Sequence, residues 1–286
     1  MHEFPHVLVV AGAAPDGLLQ ALPHRGEPRV LAPAAWEIPF AGDPAAVLAS
    51  ARRLAPAADV NALPSANRRK KLLVADMDST IISCECLDEL ADMAGLKPRI
   101  AAITERAMRG EIAFEGALRE RVGLLKGLSI SALERTWTER VRLNPGARAL
   151  VATMKAHGAR TLLVSGGFTF FTARVAREAG FDSHQSNTLL HDGEALTGEV
   201  GDPILGREAK RAALEKAVMD LELVHDDVLA VGDGANDLAM LARAGLGVAW
   251  HAKPVVAEAA KARIDRADLR SLLYLQGYCD AEIVDG

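Results

Sequence analysis

Aromatic residues are scarce in this chain, 4% of 286 positions, and no long apolar run interrupts it. Its core must therefore be built from Ala, Leu and Val, and with half of the residues hydrophobic there is material for a sizeable one. No window approaches the ~20 apolar residues that a membrane-spanning helix needs. The first residues lack the basic-then-apolar pattern of a secretory signal. Cysteine is nearly missing. Cys84, Cys86 and Cys279 make an odd set, which excludes a disulfide framework and suits a reducing cytoplasm. Cys84-Glu-Cys86 has no second Cys or His pair at zinc spacing, so both are read as small buried residues. A surplus of one charge is missing too. The net charge is -5 with acids and bases interspersed, which argues against a nucleic-acid partner. The one basic run, Arg68-Arg-Lys-Lys71, directly precedes an apolar segment and is read as flanking a strand. The expectation is a soluble, cytoplasmic protein with no membrane association, divided into two or three compact units.

What is present is more telling. Lys71-Leu-Leu-Val-Ala-Asp-Met-Asp-Ser-Thr80 is an apolar run that ends in two carboxylates one residue apart. Leu72 to Ala75 reads as a short buried strand, apolar without alternation and bounded by charge. Grouped acids resist burial unless they are paired or at work. Where the chain turns at the strand end, Asp76 and Asp78 can share one crevice, hold a hard cation, and divide nucleophilic and proton-transfer roles. A capped helix start at Asp78-Ser79-Thr80 is an equal alternative from these residues alone.

Residues 1 to about 66 carry strand-like His6–Val10, Arg29–Leu31 and Trp36–Phe40, with helices expected over Asp16–Leu22 and Asp43–Leu54. Ala55 to Asn67, rich in Pro and small polar residues, reads as a linker. Residues 84 to about 143 show helical spacing, as in Ile100–Met108 and Ala117–Leu125, with a capped start at Ser129. Strand and helix then alternate: Thr161–Val164, Thr169–Ala179, Glu208–Leu221, Val228–Val231, Leu238–Ala244 and Leu246–Ala249, with a hairpin over Ser186–Gly198 turning at Asp192-Gly193. Such alternation implies an α/β fold, a doubly wound parallel sheet with helices on both faces and ligands beyond the carboxyl ends of its strands.

Three strand ends then bring compatible chemistry. Besides Asp76 and Asp78 there is Ser165-Gly166-Gly167, a hydroxyl with amides freed by glycine, suited to phosphate oxygens. Gly232-Asp-Gly-Ala-Asn-Asp237 is a tight acidic turn after Val-Leu-Ala-Val. Lys210 lies between them on an expected helix, where a cation can balance a nucleophile and a phosphoryl group.

Asp-x-Asp-Ser-Thr, Ser-Gly-Gly-Phe, Glu-Ala-Lys and Val-Gly-Asp-Gly-Ala-Asn-Asp stand in an order that resembles the haloacid dehalogenase (HAD) superfamily, over roughly Leu72 to Leu275. The likeness is to its members that act on O-phosphoserine. The resemblance implies a Rossmann-like core at 67–84 and 144–286, a helical cap at 85–143, and hydrolysis of O-phosphoserine to serine and phosphate, the last step of serine biosynthesis. Asp76 would take the phosphoryl group as an aspartyl phosphate. Asp78 would protonate the leaving oxygen and then deprotonate water. Mg2+ would be held by the Asp76 carboxylate, the Asp78 main-chain carbonyl and Asp233, while Asp237 orients Lys210 and the metal's water. Ser165, Gly166 and Lys210 would hold phosphoryl oxygens, with Asn236 nearby. In the cap, Glu85 would meet the substrate ammonium, Arg121 its carboxylate, and Phe114 would form an apolar wall. Taken singly, these three read as a helix-start acid, a surface residue and a core residue. His251 and Lys253 follow the last strand and could approach the same face, but both are read as structural. For the unit at 1–66, an ACT-type serine sensor and a degenerate ACT-like module that is merely structural or homodimerising both stand open. Phosphoryl transfer to homoserine and a non-catalytic serine-binding role are the alternatives in function.

Overall fold

The computed structural model describes residues 4–12, 16–22, 25–109 and 111–286. Its first part runs β1 (His6–Ala11), α1 (Asp16–Ala21), β2 (Arg29–Ala32), β3 (Ala35–Phe40), α2 (Pro44–Leu54) and β4 (Asp59–Pro64). β1 lies antiparallel between β3 and β4, giving the order β2-β3-β1-β4. Asp43 starts α2 by accepting hydrogen bonds from the Ala45 and Ala46 amides. The linker expected over 55–67 is corrected in its middle. Asp59–Pro64 pairs along the whole of β1, with Val60 and Leu63 buried. Its polar residues made it look like a connection, yet they serve a junction: Asp59 and Asn61 both bind the other half of the molecule.

That half begins with β5 (Leu72–Ala75). Four helices follow as a cap, α3 (Cys86–Met93), α4 (Lys97–Met108), α5 (Phe114–Gly123) and α6 (Ile130–Arg140). The chain then continues through α7 (Ala147–Ala156), β6 (Arg160–Phe168), α8 (Thr169–Ala179), β7 (Ser183–Asn187), the hairpin of β8 (Leu189–His191) and β9 (Leu196–Val200), and α9 (Arg207–Asp220). It closes with β10 (Val228–Gly232), α10 (Leu238–Arg243), β11 (Leu246–Trp250), α11 (Pro254–Ala259), β12 (Ala262–Ile264) and α12 (Ser271–Leu275). Six strands form one parallel sheet in the order β12-β11-β10-β5-β6-β7.

Register decides where the chemistry falls. Ala75 stands opposite Val231 on one side and Leu163 on the other. Asp76, Gly232-Asp233 and Val164-Ser165 therefore emerge at one end of three adjacent strands. The strand order also reverses beside β5, so the crevice lies where ligands enter such sheets. The edge strands β7 and β12 escaped the sequence. Ser183-His-Gln-Ser-Asn187 is polar throughout, and Ala262-Arg-Ile264 is too short to carry a period. The cap is tied to the core by main-chain bonds. Gly127 donates to Leu196 O at 2.8 Å, Leu196 to Leu128 O at 2.9 Å, and Ile130 to Glu194 O at 3.0 Å, so the β8–β9 hairpin holds the cap loop.

The antiparallel sheet is covered on both faces. Leu8, Val10, Ile38 and Phe40 pack under α1 and α2. Val7, Val9, Leu31 and Leu63 join the main core with Leu272, Leu273 and Tyr278. This explains why His6–Val10 reads apolar without alternation. At the seam, the Asn61 amide accepts from Arg263 N at 2.9 Å and donates to Arg263 O at 2.8 Å, continuing the ladder beyond β12. Asp59 accepts from the amides of Asp265, Arg266 and Ala267. No helix among the described residues is long and apolar enough to cross a membrane.

Candidate active site

After β5 the chain makes a tight turn over Met77–Ile81, with Ser79 in the left-handed region at φ +56°. Asp76 is buried, and its Oδ1 accepts from the Met77 amide at 2.8 Å. This turn replaces the capped helix start that the same residues allowed. Asp78 faces the crevice beside it. Its Oδ2 accepts from the Ser165 hydroxyl at 3.0 Å and its Oδ1 from the Cys86 amide at 2.9 Å, which joins the β5 turn to the first cap helix. Ser165 Oγ in turn accepts from Gly167 N at 2.8 Å. The pairing of β6 with β7 shifts between Val164 and Phe168, and this irregularity opens the Ser165–Gly167 backbone toward Asp78. A Cβ at Gly167 would stand 3.0 Å from both Asp78 Oδ2 and Ser165 Oγ, so glycine is what lets these groups meet.

The acidic turn is equally tight. A Cβ on Gly232 would stand 2.4 Å from Asp237 Cγ, which excludes any side chain there. Asp237 is fully buried and accepts from Gly234 N at 3.0 Å and from Lys210 Nζ at 2.6 Å. Lys210 Nζ also lies 2.6 Å from Asp76 Oδ1, so α9 delivers an ammonium that bridges two acids. Asp233 accepts from the Thr80 hydroxyl at 3.0 Å. Carboxylate oxygens of Asp76, Asp233 and Asp237 lie within 4.8 Å of one another.

The electrostatics follow from one ammonium among three acids. Burial, then the Asp237 charge, push the Asp76 carboxyl well above the ordinary carboxylate range, and Lys210 is the group opposing them. Burial disfavours the charge on Lys210, but Asp76 and Asp237 outweigh it and hold its pKa above that of an ordinary lysine. Burial likewise raises Asp78 and Asp233. An all-oxygen donor set with excess negative charge fits a hard divalent cation.

Above this floor lies a cavity of about 340 Å³. Of the residues singled out from sequence, Asp76, Asp78, Ser165, Gly166, Asp233 and Asn236 line its floor, and Glu85, Phe114 and Arg121 line its cap side. Lys210 and Asp237 stand behind Asp76 rather than on the wall. Glu85 precedes α3 and accepts from Ser79 Oγ at 2.7 Å. The residue is exposed at the cavity rim, yet desolvation followed by the Asp78 charge raises its carboxyl to about 7. Arg121, in the last turn of α5, is half-buried and donates from Nε to Ala117 O at 3.3 Å. Asp88 and Glu85 are the charges that act on it. Phe114, 39% exposed, is pocket wall rather than core.

Sequence reasoning passed over several wall residues. Asp88 and Thr104 line the cap side, and both carry helical spacing with no motif around them. Lys253, singled out from the sequence but read there as structural, lines the core side. Buried Asn187 donates to Gly166 O at 2.9 Å and accepts from Leu205 N at 2.7 Å, pinning the Ser165 loop to the approach of α9. Only the folded chain brings these together.

A parallel sheet with an Asp-x-Asp turn at its central strand, a lysine-bridged acidic loop beside it and a helical cap above defines a class of hydrolases. The chain belongs to the haloacid dehalogenase-like hydrolase family, whose pattern matches residues 73–242. Over 210 residues it is 49% identical to the phosphoserine phosphatase of a Polaromonas species, a match covering 72% of this chain and 89% of that protein. A HAD-family hydrolase from Salmonella enterica serovar Typhi is similar in structure, with a TM-score of 0.87 at 30% identity over 96% of this chain and 98% of the other. A phospho-aspartyl intermediate analogue of phosphoserine phosphatase is 39% identical, with a TM-score of 0.66 over 72% of this chain and 98% of the other.

Proposed function

We propose that this protein is a Mg2+-dependent phosphomonoester hydrolase that converts O-phosphoserine to serine and phosphate, the last step of serine biosynthesis, in the cytoplasm. The observation that carries the reading is the pairing of one cavity's two walls. Its floor offers two carboxylates beside a Ser-Gly-Gly phosphate cradle, and its cap side offers Glu85 and Arg121, a match for the ammonium and carboxylate of an amino acid. Similarity to the Polaromonas phosphoserine phosphatase supports the same substrate.

In this reading an Asp76 oxygen attacks phosphorus, and the bond from phosphorus to the serine oxygen breaks. Asp78, raised by burial and so able to carry a proton, gives it to that leaving oxygen. Asp78 then takes a proton from the water that attacks the aspartyl phosphate, and phosphate departs with Asp76 restored. Ser165 and the Gly166 amide hold phosphoryl oxygens, with Asn236 beside them, and Lys210 holds Asp76 in place and opposes the burial that favours its neutral form. Asp76, the Asp78 carbonyl and Asp233 would hold Mg2+, with Asp237 supporting Lys210. Bound there, the ion would neutralise phosphoryl oxygens and the excess of carboxylate charge. Residues 1–66 form a small α/β unit in this proposal, 67–84 and 144–286 the core, and 85–143 the cap that excludes bulk water. The unit at 1–66 is read as structural, with self-association through its β2 edge as the homodimer to look for by sedimentation.

The test is phosphate release from O-phospho-L-serine with Mg2+ and with EDTA, beside phosphothreonine, phosphohomoserine and an aryl phosphate. A Mg2+-dependent preference for phosphoserine is expected. Turnover of the aryl ester alone would discard the substrate and keep the chemistry. Phosphohomoserine formed on adding homoserine would replace hydrolysis by transfer.

A further inference from the structure

Lys253 stands between β11 and α11 on the core wall of the cavity, and its main chain is held on both sides. Its amide donates to Asp233 O at 3.3 Å, and its carbonyl accepts from the Val256 and Ala257 amides at 2.9 and 3.0 Å. Two residues before it, His251 adopts φ +46°, donates from its amide to Ile264 O at 2.7 Å, and sets its ring nitrogen 3.0 Å from Ala267 O. The Lys253 side chain, by contrast, is exposed and has no hydrogen bond or ion pair among the described residues. A fixed backbone thus presents an unpaired ammonium at the mouth of the cavity.

The charge around it makes that placement informative. Asp76, Asp78, Glu85, Asp88 and Asp233 line the cavity, so an approaching phosphate dianion meets a wall of carboxylates. Lys210 is buried behind Asp76 and occupied by two acids. Arg121 is on the cap, under the influence of Asp88 and Glu85. On the core side of the wall, Lys253 is, among the described residues, the cation with donors to spare. An ammonium carries three donors and acts on phosphate as a compact point charge.

We propose that Lys253 binds a non-bridging phosphoryl oxygen of the entering phosphate ester and of the departing phosphate ion, so that it sets capture of the dianion rather than the chemical step. This deepens the proposed function and rests on it only for the identity of the ester. Because the contact is to the phosphoryl group, it applies equally to an aryl phosphate.

The experiment compares Lys253→Ala and Lys253→Arg with the parent, all Mg2+-loaded, on O-phosphoserine and on p-nitrophenyl phosphate. Inhibition by inorganic phosphate is measured alongside, and phosphate binding is measured by calorimetry. For Lys253→Ala, KM for both esters and Ki and Kd for phosphate should rise about tenfold, as expected for one charge-assisted contact at an exposed site. The decline of kcat/KM with salt should become shallower, and kcat should change the least. Lys253→Arg should recover most of the loss. Phosphate Ki and Kd within about twofold of the parent would overturn the proposal. So would a rise in KM for phosphoserine alone, which would put Lys253 on the serine moiety, or a fall in kcat at constant KM. Failure of phosphoserine as a substrate would leave the aryl-ester and phosphate measurements intact, so the two readings fail separately.

Discussion

Asp76 and Asp78 are one residue apart and differ in their hydrogen-bond partners. Asp76 meets an ammonium and its own turn's amide, while Asp78 meets a hydroxyl and an amide from the cap. In the proposed mechanism the first set positions Asp76 for attack, with Lys210 opposing the burial that raises it, and the second leaves Asp78, also raised by burial, able to carry a proton. Asp76→Asn keeps the shape and one hydrogen-bond acceptor but loses the nucleophilic oxygen pair. Turnover should fall by at least about a thousandfold while the circular dichroism spectrum is retained; substantial activity would remove Asp76 from its role. Glu85 supplies the pH dependence. Its carboxyl is raised to about 7, so below that pH it is neutral and loses its attraction for an ammonium. In the free enzyme, kcat/KM for phosphoserine should therefore fall as pH drops through about 7, more steeply than for an aryl phosphate. Glu85→Gln should erase the difference between the two profiles.

At the scale of elements, function depends on where strands stop. The matched register of β5, β6 and β10 delivers three turns to one crevice, and the shifted β6–β7 pairing aims Ser165 at Asp78. In the proposed function the cap helices add selectivity through Glu85, Phe114 and Arg121, which line the cavity opposite Asp76. Arg121 is carried on α5, whose buried face of Ala117, Leu118 and Val122 fixes its position. Arg121→Ala should raise KM for phosphoserine by about ten- to a hundredfold, the loss of one paired charge, and change aryl phosphate hydrolysis little. An equal loss on both esters would make Arg121 a structural residue of the cap.

At the scale of the whole molecule, one apolar cluster spans the small sheet and the large one. Val7, Val9, Leu31 and Leu63 lie in the same cluster as Leu272, Leu273 and Tyr278, and the Asp59 and Asn61 bonds close the seam. Uncovering several such side chains at about 1.5–3 kcal/mol each rivals the ~5–15 kcal/mol that holds a domain folded. A chain beginning at Asn67 should therefore be poorly soluble or melt well below the full chain; matching melting curves would show that this face contributes nothing. A comparison of serine inhibition between those two chains would mix regulation with loss of stability, so serine feedback is better sought on the full chain.

Much of the chemistry was legible along the chain because each motif is local. An apolar strand followed at once by Asp-x-Asp, Ser-Gly-Gly or Gly-Asp-Gly-x-Asn-Asp announces both the element and its cargo within ten residues. The alternation of strands and helices announced the parallel sheet for the same reason. The rest needed distant partners. Asp59–Pro64 looked like a linker because its polar residues bond a strand some two hundred positions away. Lys253 looked structural because nothing in His251-Ala-Lys-Pro254 says which acids it will face. Sequence by itself determined the motifs of the cavity floor and the order in which they arrive, since covalent neighbours encode turns and strand ends. The tertiary structure alone decided which of those groups pair and which are left free, because pairing depends on register and on the cap folding back over the sheet.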